Sequence, residues 1–198
     1  DGPIEPSLVD GPRVLGVRQV PQGDTIVVEV LAPYATAFRW IACPAPFLPA
    51  LEPTCPVPAQ TLSDGNPLVI NRPLEGARLW LRLDAQSDEA SALPTVLRVR
   101  AEPGVAEEFA LIAPDGADLP ASITSGGDVP VVVYPPPAVD DTVTWFTSAG
   151  LFETWRTRGA VASVLTTPPA GGELTVWAVI RSASGAVSWA SRSFEVTE

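Results

Sequence analysis

The sequence predicts an all-β protein built from two tandem domains of similar size. Short runs of alternating apolar and polar residues recur along the chain, and turn signals separate them about every 8 to 15 residues. No stretch sustains the 3.6-residue period of an amphipathic helix. Trp40 and Trp145 lie 105 residues apart, and Trp80 and Trp177 lie 97 apart, which indicates a repeat of about 100 residues. That length is typical of one immunoglobulin-like sandwich, so we expect two tandem immunoglobulin-like (fibronectin type III-like) β-sandwich domains.

The domain boundaries follow from composition. Residues 1–12 are rich in Pro, Gly and acidic residues and offer little to bury, so we expect a tether. We place the first domain at residues 13–104 and the second at residues 105–198. The segment between them contains Pro-Gly and three Glu, a composition typical of a short polar connector.

Strands of the first domain are predicted in order from their β-branched residues and their period of two. The clearest is residues 77–85 (ARLWLRLDA), in which three leucines share one face and Trp80 lies on the other. We expect the leucine face to enter the core. The remaining strands are predicted at residues 13–20, 25–31, 37–43, 67–71 and 95–101.

The second domain repeats this plan. Residues 142–148 (TVTWFTS) form the strand that carries Trp145, and Phe146 then points to the opposite side of the sheet. The other strands are predicted at residues 129–134, 151–158, 162–166, 173–182 and 187–196. The mid-strand tryptophans are interpreted as core or core-edge residues.

Composition excludes several function classes. The chain has no His and no Lys, so imidazole-based and lysine-based catalysis are absent, and all 12 basic residues are Arg. A net charge of −11 argues against nucleic acid as a partner. We therefore expect no catalytic residue, no cofactor and no metal site. Calcium between acidic turns is a weaker alternative, because no D-x-D-x-D-G loop is present. A glycosidase-type carboxylate pair is weaker still, because a two-domain sandwich of this size seldom carries the cleft that it needs.

Cys43 and Cys55 enclose eleven residues of a Pro-rich segment. We interpret them as a disulfide that closes a long surface loop, which indicates an oxidising compartment. The alternative is a pair of free thiols in a reducing compartment.

Two groups of residues are candidate partner-binding sites. Exposed aromatic side chains beside Arg are typical of binding hot spots, and they could also stack on sugar rings. A Pro-rich loop is partly preordered and loses less entropy on binding. The alternative for both groups is structural packing at a sandwich edge or cap. The candidates are Phe47, Leu48 and Leu51 in the loop, and Phe146, Phe152, Trp155, Arg156 and Arg158 in the second domain.

Several segments resemble one known family. GPRVLGVRQVP, GDTIVVEVLAP and FRWIAC in the first half, with TVTWFTSAGLFE and LTTPPAGGELTVWAVIRSASGAVSWASRSFEV in the second, resemble predicted lipoproteins of myxobacteria and their relatives. The resemblance covers the chain from about Gly11 to its end. It implies export, a lipidated Cys just before Asp1, and two immunoglobulin-like or fibronectin type III-like domains. It implies no catalytic residue.

The sequence therefore favours a non-enzymatic cell-envelope protein that acts as a structural or protein-interaction module. We expect it at the outer membrane, in the periplasm or at the cell surface, with a protein partner and with membrane contact only through the lipid anchor. The alternative is a carbohydrate- or small-ligand-binding module that uses the exposed aromatic residues.

Overall fold

The chain forms two compact units without any helix in the described residues. A computed structural model describes residues 7–43, 60–73 and 79–198. One unit comprises residues 11–106, and the other combines residues 1–10 with residues 107–198. Each contains two β-sheets, so the predicted all-β fold is confirmed.

Seven described strands build the first unit, and the sequence explains their faces. They form a three-stranded sheet in the order β1-β2-β5 and a four-stranded sheet in the order β4-β3-β6-β7, both antiparallel. This arrangement is that of a fibronectin type III-like sandwich. The strands are β1 (Gly16–Gln22), β2 (Thr25–Leu31), β3 (Ala37–Cys43), β4 (Gln60–Asp64), β5 (Leu68–Asn71), β6 (Leu79–Gln86) and β7 (Thr95–Val99).

Trp40 and the leucines of β6 form the centre of this core. Trp40, Leu81 and Leu83 are all fully buried, whereas Trp80 lies outside the cluster and is half-buried. The predicted orientation of β6 is thus confirmed. Trp40 also donates a hydrogen bond from Nε1 to the carbonyl oxygen of Gly65 at 2.8 Å, which fastens the turn after β4 to the core.

The second unit has nine described strands. Its sheets have the orders β12-β14-β10-β8 and β13-β11-β15-β16-β9, and β9 runs parallel to β16 while the other pairs are antiparallel. The strands are β8 (Ala110–Ile112), β9 (Ser122–Thr124), β10 (Asp128–Tyr134), β11 (Thr142–Thr147), β12 (Leu151–Phe152), β13 (Arg156–Arg158), β14 (Ser163–Thr166), β15 (Gly172–Arg181) and β16 (Val187–Thr197).

Trp145 lies at the centre of the second core. It is 0% exposed, and its ring centroid is 5.5 Å from that of Phe152. Its Nε1 donates to Thr157 Oγ1 at 3.0 Å, so the indole N–H keeps a hydrogen-bond partner in the core. This bond also directs the side chain of Thr157 inward from β13.

Residues 7–9 correct the prediction of an N-terminal tether. Ser7 and Val9 are buried, and Leu8 forms a parallel bridge with Thr147 at the end of β11. The N–H of Thr147 donates to the carbonyl oxygen of Ser7, and the N–H of Val9 donates to that of Thr147, both at 2.8 Å. The segment therefore extends the sheet of the second unit, although the next residues of the chain belong to the first.

Candidate functional site

The residues of β13 divide between the core and the outer face of the five-stranded sheet, which is the face opposite the core. Thr157 is 5% exposed and points inward, whereas Arg156 and Arg158 are exposed. Because side chains alternate along a strand, the bond from Thr157 to Trp145 directs both arginines to the outer face. The sequence predicted these two arginines as binding residues, and the structure places them together.

Arg181 joins them from another strand. Thr142 of β11 pairs with Arg158 on one side and with Arg181 on the other. Arg158, Thr142 and Arg181 therefore form one row across the sheet. Arg181 donates from Nη1 to Thr144 Oγ1 at 3.3 Å. Desolvation by burial, followed by repulsion from Arg156, lowers the pKa of Arg181. We call Arg156, Arg158 and Arg181 the arginine patch.

Trp155 borders the arginine patch and supplies an exposed aromatic ring. Its side chain is 36% exposed, and the guanidinium carbon of Arg156 lies 4.6 Å from its ring centroid. This is the geometry of a cation–π contact, which orients the guanidinium without neutralising it. The guanidinium of Arg156 therefore lies over the indole ring of Trp155 at the sheet edge.

The arginine patch is unusual for a chain of this charge. Residues 107–198 contain eleven Asp and Glu but only four Arg, and three of those four arginines form the patch. In the part of the chain that the structure describes, no carboxylate lies within 4.0 Å of the guanidinium of Arg156 or Arg158. Arg156 and Arg158 therefore place two like charges near each other, although residues 107–198 contain many carboxylates that could pair with them.

The other predicted binding residues have different positions. Phe152 is 3% exposed and belongs to the core, so it contributes no exposed aromatic surface, contrary to its assignment as a binding residue. Phe146 points to the outer face, as its parity predicted, but it is only 5% exposed and neighbours Trp177 in the register. Phe47, Leu48 and Leu51 lie outside the described residues.

Of the two cysteines in the predicted disulfide, the structure describes only Cys43. Cys43 is the last residue of β3 and is 1% exposed. Cys55 lies outside the described residues, so the pairing stays a prediction.

A groove in the first unit was not predicted. It has a volume of about 610 Å³, and register places Arg39 between Asp64 and Asp84 along its wall. The distance from Arg39 Nε to Asp64 Oδ1 is 3.8 Å. Asp84 Oδ1 lies 2.8 Å from Nε of Arg82, a residue that is not among those lining the groove. The groove therefore offers hydrogen-bond donors and acceptors side by side. Sequence patterns missed it because its charged residues come from three strands.

Across residues 7–43, 60–73 and 79–198, no group of three or more Cys, Asp and Glu is placed to hold a metal ion. Within the same ranges, no helix is long and apolar enough to span a membrane.

The fold and the arginine patch together define a tandem immunoglobulin-like β-sandwich protein with an exposed cationic and aromatic sheet edge. No protein-family model and no curated protein matches the chain. Among solved structures, red sea bream transglutaminase is similar with 11% identity and a TM-score of 0.37, over 92% of this chain and 31% of that one.

Two other solved structures are similar at comparable levels. A glycosyl hydrolase family 2 member from Bacteroides cellulosilyticus has 13% identity and a TM-score of 0.33, over 89% of this chain and 24% of that one. The FN1–FN3 domains of chicken CNTN1 have 11% identity and a TM-score of 0.28, over 98% and 69%. The chain spans less than a third of the first two proteins. Similarity at this level does not indicate a shared activity or ligand.

Proposed function

We propose that the protein is a non-enzymatic (lipo)protein of the cell envelope that acts as a protein-interaction or structural module in a larger assembly. The observation that carries this proposal is the arginine patch beside Trp155 at the edge of the second unit. Export, a lipid anchor and the disulfide between Cys43 and Cys55 belong to the same proposal.

The composition of this surface supports a role in binding. Trp and Arg are enriched among interface residues that dominate binding free energy, because both combine a large contact area with directional hydrogen bonds. Trp155 and Arg156 are already oriented by their mutual contact, which reduces the side-chain entropy lost on binding. The exposed surface thus meets the physical requirements of a small hot spot.

Affinity capture from native envelope fractions tests the interaction. We expect a stoichiometric protein partner that is lost with Trp155→Ala and with Arg156→Gln. Arg98→Gln is the matched control, because Arg98 is an exposed arginine on β7 of the first unit. A partner retained by both patch variants would overturn the assignment of this surface.

Fractionation and intact-mass measurement test the envelope location. We expect the native protein in the membrane or periplasmic fraction, with a mass lower by two hydrogen atoms before reduction than after it. A cytoplasmic protein with two free thiols would contradict both the location and the disulfide.

The groove of the first unit supports a second candidate, a carbohydrate- or small-ligand-binding module. Its volume is within the range of ligand sites, and alternating carboxylate and guanidinium groups suit a polyhydroxylated ligand. Binding to a polysaccharide panel that is lost with Arg39→Ala but retained with Trp155→Ala would place a glycan in the groove. Binding that is lost with Trp155→Ala but retained with Arg39→Ala would instead place the glycan at Trp155.

A further inference from the structure

We propose that the arginine patch recognises an acidic, extended peptide segment that adds to the sheet along β13. This inference rests on the proposed function, because it assigns a partner chemistry to the same surface. It specifies the backbone conformation of the partner and the sign of its charge.

β13 has outward-facing backbone groups for strand addition, except that the carbonyl oxygen of Arg158 already accepts from the N–H of Val161 at 3.3 Å. β13 is the outermost strand of its sheet, and the N–H of Trp145 donates to the carbonyl oxygen of Trp155 at 2.8 Å. The N–H of Gly159 donates to the carbonyl oxygen of Asp141 at 2.9 Å. In an antiparallel pair this places the backbone groups of alternate residues toward β11. The N–H groups of Arg156 and Arg158 therefore face away from β11, along the outer edge.

An extended segment of this chain already pairs with β11 on the side where β13 lies. Residues 7–9 add to β11 at Thr147, just beyond the part of β11 that pairs with β13. Both backbone groups of Thr147 are used in that addition. This part of the sheet thus already gains a short added strand at β11, and the proposal places a second addition, by β-augmentation, one strand further out on β13.

Charge selects the partner. Alternate side chains of an added strand lie on the outer face, about 6.4–6.8 Å apart, and strand geometry gives Arg156 and Arg158 on β13 the same spacing. Acidic residues at every second position of the partner would thus meet one guanidinium each. Arg181 adds positive potential across β11, since Arg158 and Arg181 flank Thr142 in the register. The net charge of −11 disfavours binding of such a peptide elsewhere on the chain.

Fluorescence anisotropy with the full chain tests the proposal. The probe is a labelled peptide of about ten residues that alternates Glu and Thr, and the neutral control replaces every Glu by Gln. We expect the Glu peptide to bind, the Gln peptide to bind at least about fivefold more weakly, and the affinity to fall with rising salt. Arg156→Gln and Arg158→Gln should each weaken binding about fivefold, which is the effect of about 1 kcal/mol. Arg98→Gln should leave it unchanged.

A backbone-modified peptide tests the strand geometry separately. Methylation of alternate amide nitrogens on the edge that faces β13 should abolish binding, whereas methylation on the opposite edge should preserve it. Equal binding of both methylated peptides would overturn strand addition. Stronger competition by a uronic-acid polymer than by the Glu peptide would overturn the choice of a peptide.

The outcomes separate this inference from the proposed function. If the peptides fail to bind while a captured partner is still lost with Trp155→Ala, the acidic strand is wrong and the interaction surface stands. If, in addition, no captured partner depends on Trp155 or Arg156, then both the acidic strand and the interaction surface are wrong.

Discussion

Thr157 links the core of the second unit to the arginine patch. Its hydroxyl accepts the hydrogen bond of Trp145 Nε1, while its neighbours Arg156 and Arg158 lie on the other side of the strand. One buried polar contact thereby sets the orientation of two exposed charges. Thr fits this position better than an apolar β-branched residue would, because the buried indole N–H requires an acceptor.

Thr157→Val should destabilise the second unit by about 1–2 kcal/mol, because it keeps the side-chain shape but leaves the indole N–H of Trp145 without its acceptor. Urea unfolding followed by tryptophan fluorescence measures the change. Thr157→Ser keeps a hydroxyl and should retain most of the bond. If Val and Ser variants are equally stable, the hydrogen bond does not contribute as described.

At the level of elements, the turn between β11 and β12 depends on glycine. Gly150 has a φ of +73°, and a Cβ there would collide with the backbone oxygen of Thr166. Gly126 has a similar φ of +65°, but a Cβ there would meet nothing within 4 Å. The two glycines share a left-handed backbone conformation and differ in the space that a side chain would have.

Gly126→Ala should therefore reduce the free energy of unfolding by about 1–2 kcal/mol, the cost of the left-handed conformation alone. Gly150→Ala should reduce it by more, because the backbone of β14 must also move. Parallel thermal and urea unfolding of the two variants gives the difference. Equal losses would show that the turn relaxes without strain.

The added segment at residues 7–9 is a second element with a specific test. Val9→Pro removes the N–H that donates to Thr147 and should destabilise the second unit by about 1–3 kcal/mol. Asp10→Pro is the control, since Asp10 is exposed and follows the bridge. Hydrogen exchange at the Thr147 amide reports on the same contact. Unchanged protection in Val9→Pro would contradict the pairing.

At the level of the whole molecule, the chain passes between the units twice, after Asp10 and after Ala106. The second unit is therefore discontinuous in sequence. We expect residues 107–198 alone to be less stable than a protein in which residues 1–10 are joined to them by a flexible linker. The matched control carries Ser7→Gly, Leu8→Ser and Val9→Gly in the joined protein. Melting temperatures that do not differ between the joined protein and this control would refute the role of the segment.

Local patterns in the sequence determined most strands and the faces they bury. The predicted strands at residues 25–31 and 37–43 agree with β2 and β3 at both ends, and the leucine face of β6 enters the core. These predictions succeed because strand alternation is a property of neighbouring residues. The short strands β4, β8 and β9 were not predicted from the sequence.

Tertiary structure alone decided which distant residues meet. From the sequence, Trp155, Arg156 and Arg158 were predicted to form a candidate surface, and Arg181 was not included. Phe152 was included, but it lies in the core. Residues 7–9 were likewise predicted to be a tether, although they pair with Thr147. Alternation within a strand determines which face a side chain occupies, whereas the neighbour of that strand depends on sheet order and register. The sandwich fold was therefore readable from the sequence, and the arginine patch and the returning N-terminal segment were properties of the assembled sheets.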